Sequence, residues 1–237
     1  MNEELFARSC AALDKEYDRL GQTERFRFLT CSKQAFRADI PALILDKYPS
    51  PNETGEADPV YFCEKGNDYL VERWLPDVAT GQAKIQRRMK PFFQDLKSVL
   101  SSPLTLSEFA DHGILSAYHN PFRGGTGKRS FLNTFWREIL QEIQPPLIFS
   151  FGKPGYDMLE NHATRFCSGS FLQVAPEIPA QGTYHITCAV MECHGRKSLV
   201  TCIPSLARYA YDKVGSTQEA ANAQMWNIVR QFLSSKS

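Results

Sequence analysis

"SFLNTFWREILQEIQPPLIFSFGKPGYDMLE", residues 130–160, decides the fold class. Its first half places apolar residues at helical spacing, which reads as an amphipathic helix. Pro145 and Pro146 end that pattern. The apolar run "LIFSF" then reads as a strand, followed by a glycine-containing loop and a second helix. A helix, a buried strand and another helix in this order are the unit of a parallel sheet covered on both faces.

The same alternation extends in both directions. Residues 2–20 carry Leu5, Phe6, Cys10, Leu13, Tyr17 and Leu20 near helical spacing and open an N-terminal helical segment of about residues 1–38. A strand over 40–45 runs into a loop with two prolines. Residues 83–100 read as a helix, with Pro91 near a start or a kink. Residues 113–125 read as a strand and a Pro/Gly loop, 183–204 as a hairpin or two adjacent strands, and 217–233 as a closing helix. The expected fold is therefore α/β with three layers: a mainly parallel central sheet flanked by helices, in one domain over residues 1–237.

Composition narrows the functional classes. The chain is 43% hydrophobic and 22% charged, with a net charge of +1, as in an ordinary globular domain. No apolar run approaches the roughly 20 residues of a membrane span. The start "MNEELFARSC" lacks a basic-then-apolar leader, and seven irregularly spaced cysteines suit a reducing, cytoplasmic setting. No C-x-x-C pair occurs, so no metal and no cofactor are expected. "GGTGKRS" fails as a nucleotide-binding P-loop, because Phe122 and Arg129 stand where glycine and a hydroxyl residue are required.

Ligands of open α/β sheets bind outside the carboxyl ends of the strands. Four unusual loops follow the strands there: Asp46–Glu53, Tyr118–Gly125, Gly152–Gly155 and Pro204–Arg208. Asp46 and Tyr48 are two residues apart and share a side of an extended chain. Glu53 adds a second carboxylate, and His119, Asn120 and Arg123 add an imidazole, an amide and a guanidinium. Ser205 and Arg208, in "IPSLAR", have the chemistry of a phosphate-gripping turn, and Lys153, Lys128 and Arg129 supply further positive charge.

Together these segments resemble the uracil-DNA glycosylase superfamily. The resemblance rests on "DKYPSP" (46–51), Phe62, "GILSAYHNPFR" (113–123), "IFSFGKPGYDML" (148–159) and "IPSLARY" (203–209), which follow the family order over residues 40–210. It implies a monofunctional DNA glycosylase, acting as a monomer on DNA, that flips one nucleotide out of the helix and hydrolyses its N-glycosidic bond. Phe62 would stack on the extruded base, and Asn120 or Tyr118 would read its polar edge. Ser205, Arg208 and the basic residues Arg123, Lys128, Arg129 and Lys153 would hold phosphates.

Three departures sharpen the reading. Tyr48 stands where the family carries its water-activating aspartate, so Asp46, with Glu53 second, takes that role. Ile203 replaces the histidine of the last motif, which leaves His119 as donor to the departing base. Ser50 replaces the tyrosine that shuts out pyrimidines substituted at carbon 5. The expected substrate is a 5-substituted pyrimidine, such as a hydroxymethylated or glycosylated base in phage DNA, with defence against such phage as the setting. The alternative is a nucleic-acid-binding module of the same fold without catalysis.

Overall fold

The apolar runs that read as strands become the centre of one mixed, mostly parallel sheet. A computed structural model describes residues 1–47, 49 and 60–236. In chain order the main elements are α1 (Glu3–Arg19), β1 (Ala42–Asp46), α2 (Asp68–Val71), α3 (Lys84–Val99), α4 (Leu106–Glu108) and β2 (Leu115–Tyr118). There follow α5 (Arg129–Glu142), β3 (Leu147–Phe151), α6 (Lys153–Asn161), β4 (Ser170–Gln173), β5 (Ile178–Gln181), β6 (Tyr184–Cys193), β7 (Arg196–Ile203) and α7 (Thr217–Ser234). The strand order is β2-β1-β3-β7-β6-β4, with β5 also paired to β6. Strands β2, β1, β3 and β7 run parallel, and β6, β4 and β5 extend the sheet antiparallel.

Alternation along the central strands builds the two cores, because successive side chains point to opposite faces. Leu43, Leu45 and Ile148 face one cluster with Leu13 and Tyr17 of α1 and Phe135 and Trp136 of α5. Ala42, Ile44, Leu147 and Phe149 face the other, with Phe92 and Phe93 of α3 and Met225 and Trp226 of α7. The three expected layers are present. Helix α3 continues through Pro91 and does not start there. The proline removes the amide that would have bonded the Arg87 carbonyl.

Residues 26–31, part of the N-terminal segment, cover the outer edge of β2. The Tyr118 amide donates to the Phe28 carbonyl and the Thr30 amide to that of Ser116, at 2.8 and 2.9 Å. An open sheet edge is thereby closed. Strands β4 and β5 and the one-turn α2 lie outside the expected elements. At four residues each they fall at the lower limit of a readable pattern, and β5 carries Pro179 and a register shift. Among the described residues no helix is long and apolar enough to cross a membrane.

Candidate active site

The four parallel strands end along one edge of the sheet, and there a cleft of about 1070 Å³ opens. Tyr118 ends β2, Asp46 ends β1, Gly152 and Lys153 follow β3, and Ser205 and Arg208 follow β7; all line this cleft. Gly152 makes the turn possible, with φ of 106° and its amide donating to the Ile203 carbonyl at 2.8 Å, which ties the ends of β3 and β7 together. Arg88, from the basic run of α3, donates to the Leu206 carbonyl at 2.6 Å and lies 3.5 Å from Asp212. Its charge anchors the Pro204–Arg208 loop.

Asp46 is the most constrained ionisable group of the cleft. One carboxyl oxygen accepts the Lys47 amide at 2.7 Å, and the other accepts the hydroxyl of fully buried Tyr69 at 2.5 Å. Burial pushes the carboxyl pKa above its ordinary value, against the opposing pull of the Tyr69 and Lys47 hydrogen bonds. Tyr69 is held far above its own range, by burial first and then by the neighbouring Asp46 charge. A carboxyl shifted upward in a cleft and held by two oriented donors makes Asp46 a candidate functional group. The half-buried Trp74 also lines the cleft, its ring 5.1 Å from that of Tyr69.

His119 is held by backbone. Its amide donates to the Asp46 carbonyl at 2.8 Å, its Nδ1 lies 3.3 Å from the same oxygen, and its own carbonyl accepts Trp136 Nε1–H at 2.7 Å. Burial, chiefly, lowers its pKa, so the ring is neutral at pH 7. His119 is 7% exposed and is not among the cleft-lining residues, so it braces β1 against β2. Asn120 is likewise buried, its side-chain oxygen accepting the Phe122 amide at 3.3 Å in a local turn.

Phe62 lies elsewhere. Leu29 takes the Tyr61 carbonyl, Tyr61 turns inward, and Phe62 meets Phe6 of α1 at 6.0 Å with the Lys33 ammonium 5.5 Å from its ring. It lines a separate depression with Cys10 and Asp14. Among the aromatic residues that line the cleft are Trp74 and Tyr118. Phe62→Ala should therefore lower stability by about 2 kcal/mol, below the 3–5 kcal/mol of a fully buried ring, and leave ligand binding in the cleft unchanged. Thermal melts beside a binding titration check this; weakened binding at unchanged stability would return Phe62 to the site.

The remaining expected residues divide cleanly. Lys153, Ser205 and Arg208 line the cleft, Arg208 donating to the Tyr184 hydroxyl at 2.8 Å. Arg123 is exposed and paired with Glu24 at 2.8 Å, while Lys128 and Arg129 stand exposed at the start of α5; none of the three lines it. Tyr48, Ser50 and Glu53 lie outside the described residues. Beyond Lys153, the wall formed by α6 has no counterpart in the sequence reading: Tyr156, Asp157 and Glu160 also face the cleft. Their spacing of three, four and seven residues from Lys153 is one helix face and was the available signal. No protein-family model matches the chain, and no curated protein matches it in sequence.

Proposed function

We propose that this chain is a DNA glycosylase that hydrolyses the N-glycosidic bond of a flipped pyrimidine. The observation that carries the reading is the carboxyl of Asp46, oriented by Tyr69 and Lys47 at the end of the central strand, in a cleft rimmed by Lys153, Ser205 and Arg208. As the bond breaks, positive charge develops on the sugar and negative charge on the leaving base. The Asp46 carboxylate stabilises the first and orients the attacking water, whose hydroxyl joins the sugar and whose remaining proton goes to the base or to solvent. Lys153 and Arg208 hold flanking phosphates, and Trp74 and Tyr118 give the extruded base aromatic surface.

The substrate class rests on Ser50, a residue of the sequence alone. By the resemblance Ser50 stands in place of the tyrosine that shuts out pyrimidines substituted at carbon 5, and its small side chain would leave room for a bulky group there. The test is an abasic-site assay comparing uracil-containing DNA with hydroxymethylated or glycosylated phage DNA, using the unaltered chain and Ser50→Tyr. Abasic sites are expected in the modified DNA, and the tyrosine variant should lose that activity first. Efficient uracil release with modified DNA untouched would sink the substrate assignment.

A second reading, a nucleic-acid-binding domain without catalysis, is favoured by His119. The expected donor to the leaving base is buried and held by the Asp46 backbone. Salt-sensitive DNA binding with no abasic sites on any substrate is its outcome.

A further inference from the structure

At the C-terminal end of α6, three ligand-bearing side chains from two segments of the chain meet. His162 opens the π-turn His162–Phe166 that ends α6, Cys167 follows that turn, and Cys193 ends β6. One imidazole nitrogen and the two sulfurs lie within 4.8 Å of one another, and His162 Nε2 is 3.1 Å from Cys167 Sγ. A tetrahedral zinc ion, with bonds of about 2.3 Å to sulfur and 2.0 Å to nitrogen, spaces such atoms about 3.5–3.8 Å apart. The cluster therefore needs only small side-chain adjustments to hold one.

Two further observations bear on it. His162 is 2% exposed, and its Nδ1 is fully enclosed without a hydrogen-bond partner among the described residues. Among the described residues the one polar partner of this buried ring is the Cys167 sulfur, which leaves its hydrogen-bonding capacity unfilled. The approach of the two cysteines is also enforced by backbone. A Cβ on Gly169 would overlap the Glu192 carbonyl oxygen, so only glycine lets the chain leaving Cys167 pass this close to the end of β6.

We propose that His162, Cys167 and Cys193 hold one structural zinc ion, with His194 or a water in the fourth position. Binding converts two thiols to thiolates and releases two protons for each ion. The chain is thereby cross-linked between the C-terminal turn of α6 and the last residue of β6. Helix α6 carries Lys153, Tyr156, Asp157 and Glu160 into the cleft, so the ion fixes the wall of the candidate active site from behind. Cys193 and His162 are buried, which is the closed form of a structural site and not an open catalytic one. The inference stands whether or not the glycosylase reading does.

The test uses the full chain, purified with its thiols reduced. One zinc per chain is expected by elemental analysis. After exchange, one cobalt(II) per chain should give tetrahedral absorption with a thiolate-to-metal charge-transfer band. Cys167→Ser, at a half-exposed position, should weaken cobalt binding by more than the 10–100-fold seen for groups that merely support a ligand. Cys193→Ser should do the same, while Cys10→Ser, outside the cluster, should bind as the unaltered chain does. A folded, reduced, unaltered chain that takes up neither metal overturns the proposal. So does a charge-transfer band that survives in both cysteine variants, or a Cys167–Cys193 disulfide whose reduction yields no binding.

Discussion

Asp46→Asn is expected to cut base release by about 10²–10³-fold, the usual loss when one preorganised electrostatic group is removed from a reacting centre. Asparagine keeps the size, its one amide oxygen can accept from the Lys47 amide, and its NH2 can donate to the Tyr69 hydroxyl, so the cleft keeps its shape. What disappears is the negative charge beside the developing sugar cation. In the proposed reaction Asp46 works as the carboxylate, and its pKa is raised by burial. Activity of the unaltered chain should therefore fall as pH drops through that raised value, and the residual activity of the variant should be flat there. Stability runs the other way. An acid whose folded pKa lies above its unfolded one is a liability when ionised, and the liability is relieved as pH falls through the folded value. Any advantage of Asp46→Asn in melting temperature at pH 7 should thus shrink on acidification. An Asn variant that releases base as fast as the unaltered chain removes Asp46 from the chemistry.

That contrast between a disfavoured carboxylate and its proposed use explains which parts of the molecule could be read from sequence. The strands at the sheet centre were legible because they are buried on both faces, which forces uninterrupted runs such as "ALIL" and "LIFSF". Their loops were legible for the same reason: once the strands are parallel, the carboxyl ends share an edge. Asp46, Tyr118, Lys153, Ser205 and Arg208 followed from that geometry alone. Phe62 did not, because distance along the chain says nothing about which side of an extended segment a ring takes. With Tyr61 turned inward, Phe62 faced α1, and Trp74 reached the cleft from a loop of no regular pattern. Arg123, Lys128 and Arg129 belong to the right loop, yet its far end leads away to α5. The His162, Cys167 and Cys193 cluster was hidden because its members come from different elements at spacings of no recognised motif. The turn after α6 sets His162 beside Cys167, and the pairing of β4 with β6 brings Cys193 to them.

Trp136→Ala is expected to be the most destabilising single change at the site's foundations. Trp136 has no exposed surface and belongs to the cluster that joins α1, α5 and the sheet. Truncating a buried ring of this size costs about 3–5 kcal/mol. Its indole N–H also holds the His119 carbonyl at 2.7 Å, and orphaning a buried acceptor adds about 1–3 kcal/mol. The sum approaches the whole stability of a marginal domain, about 5–15 kcal/mol. Trp136→Phe separates the two contributions, because it keeps most of the ring and loses the donor. Urea midpoints should place the phenylalanine variant about 1–3 kcal/mol below the unaltered chain, with the alanine variant far lower or unfolded. The phenylalanine variant should also lose activity beyond its loss of stability, at temperatures where it is fully folded. His119 links that carbonyl to the Asp46 backbone through its own amide, so freeing one end of the link loosens the carboxyl at the other. Activity that merely tracks the folded fraction would make Trp136 a core residue with no part in positioning Asp46.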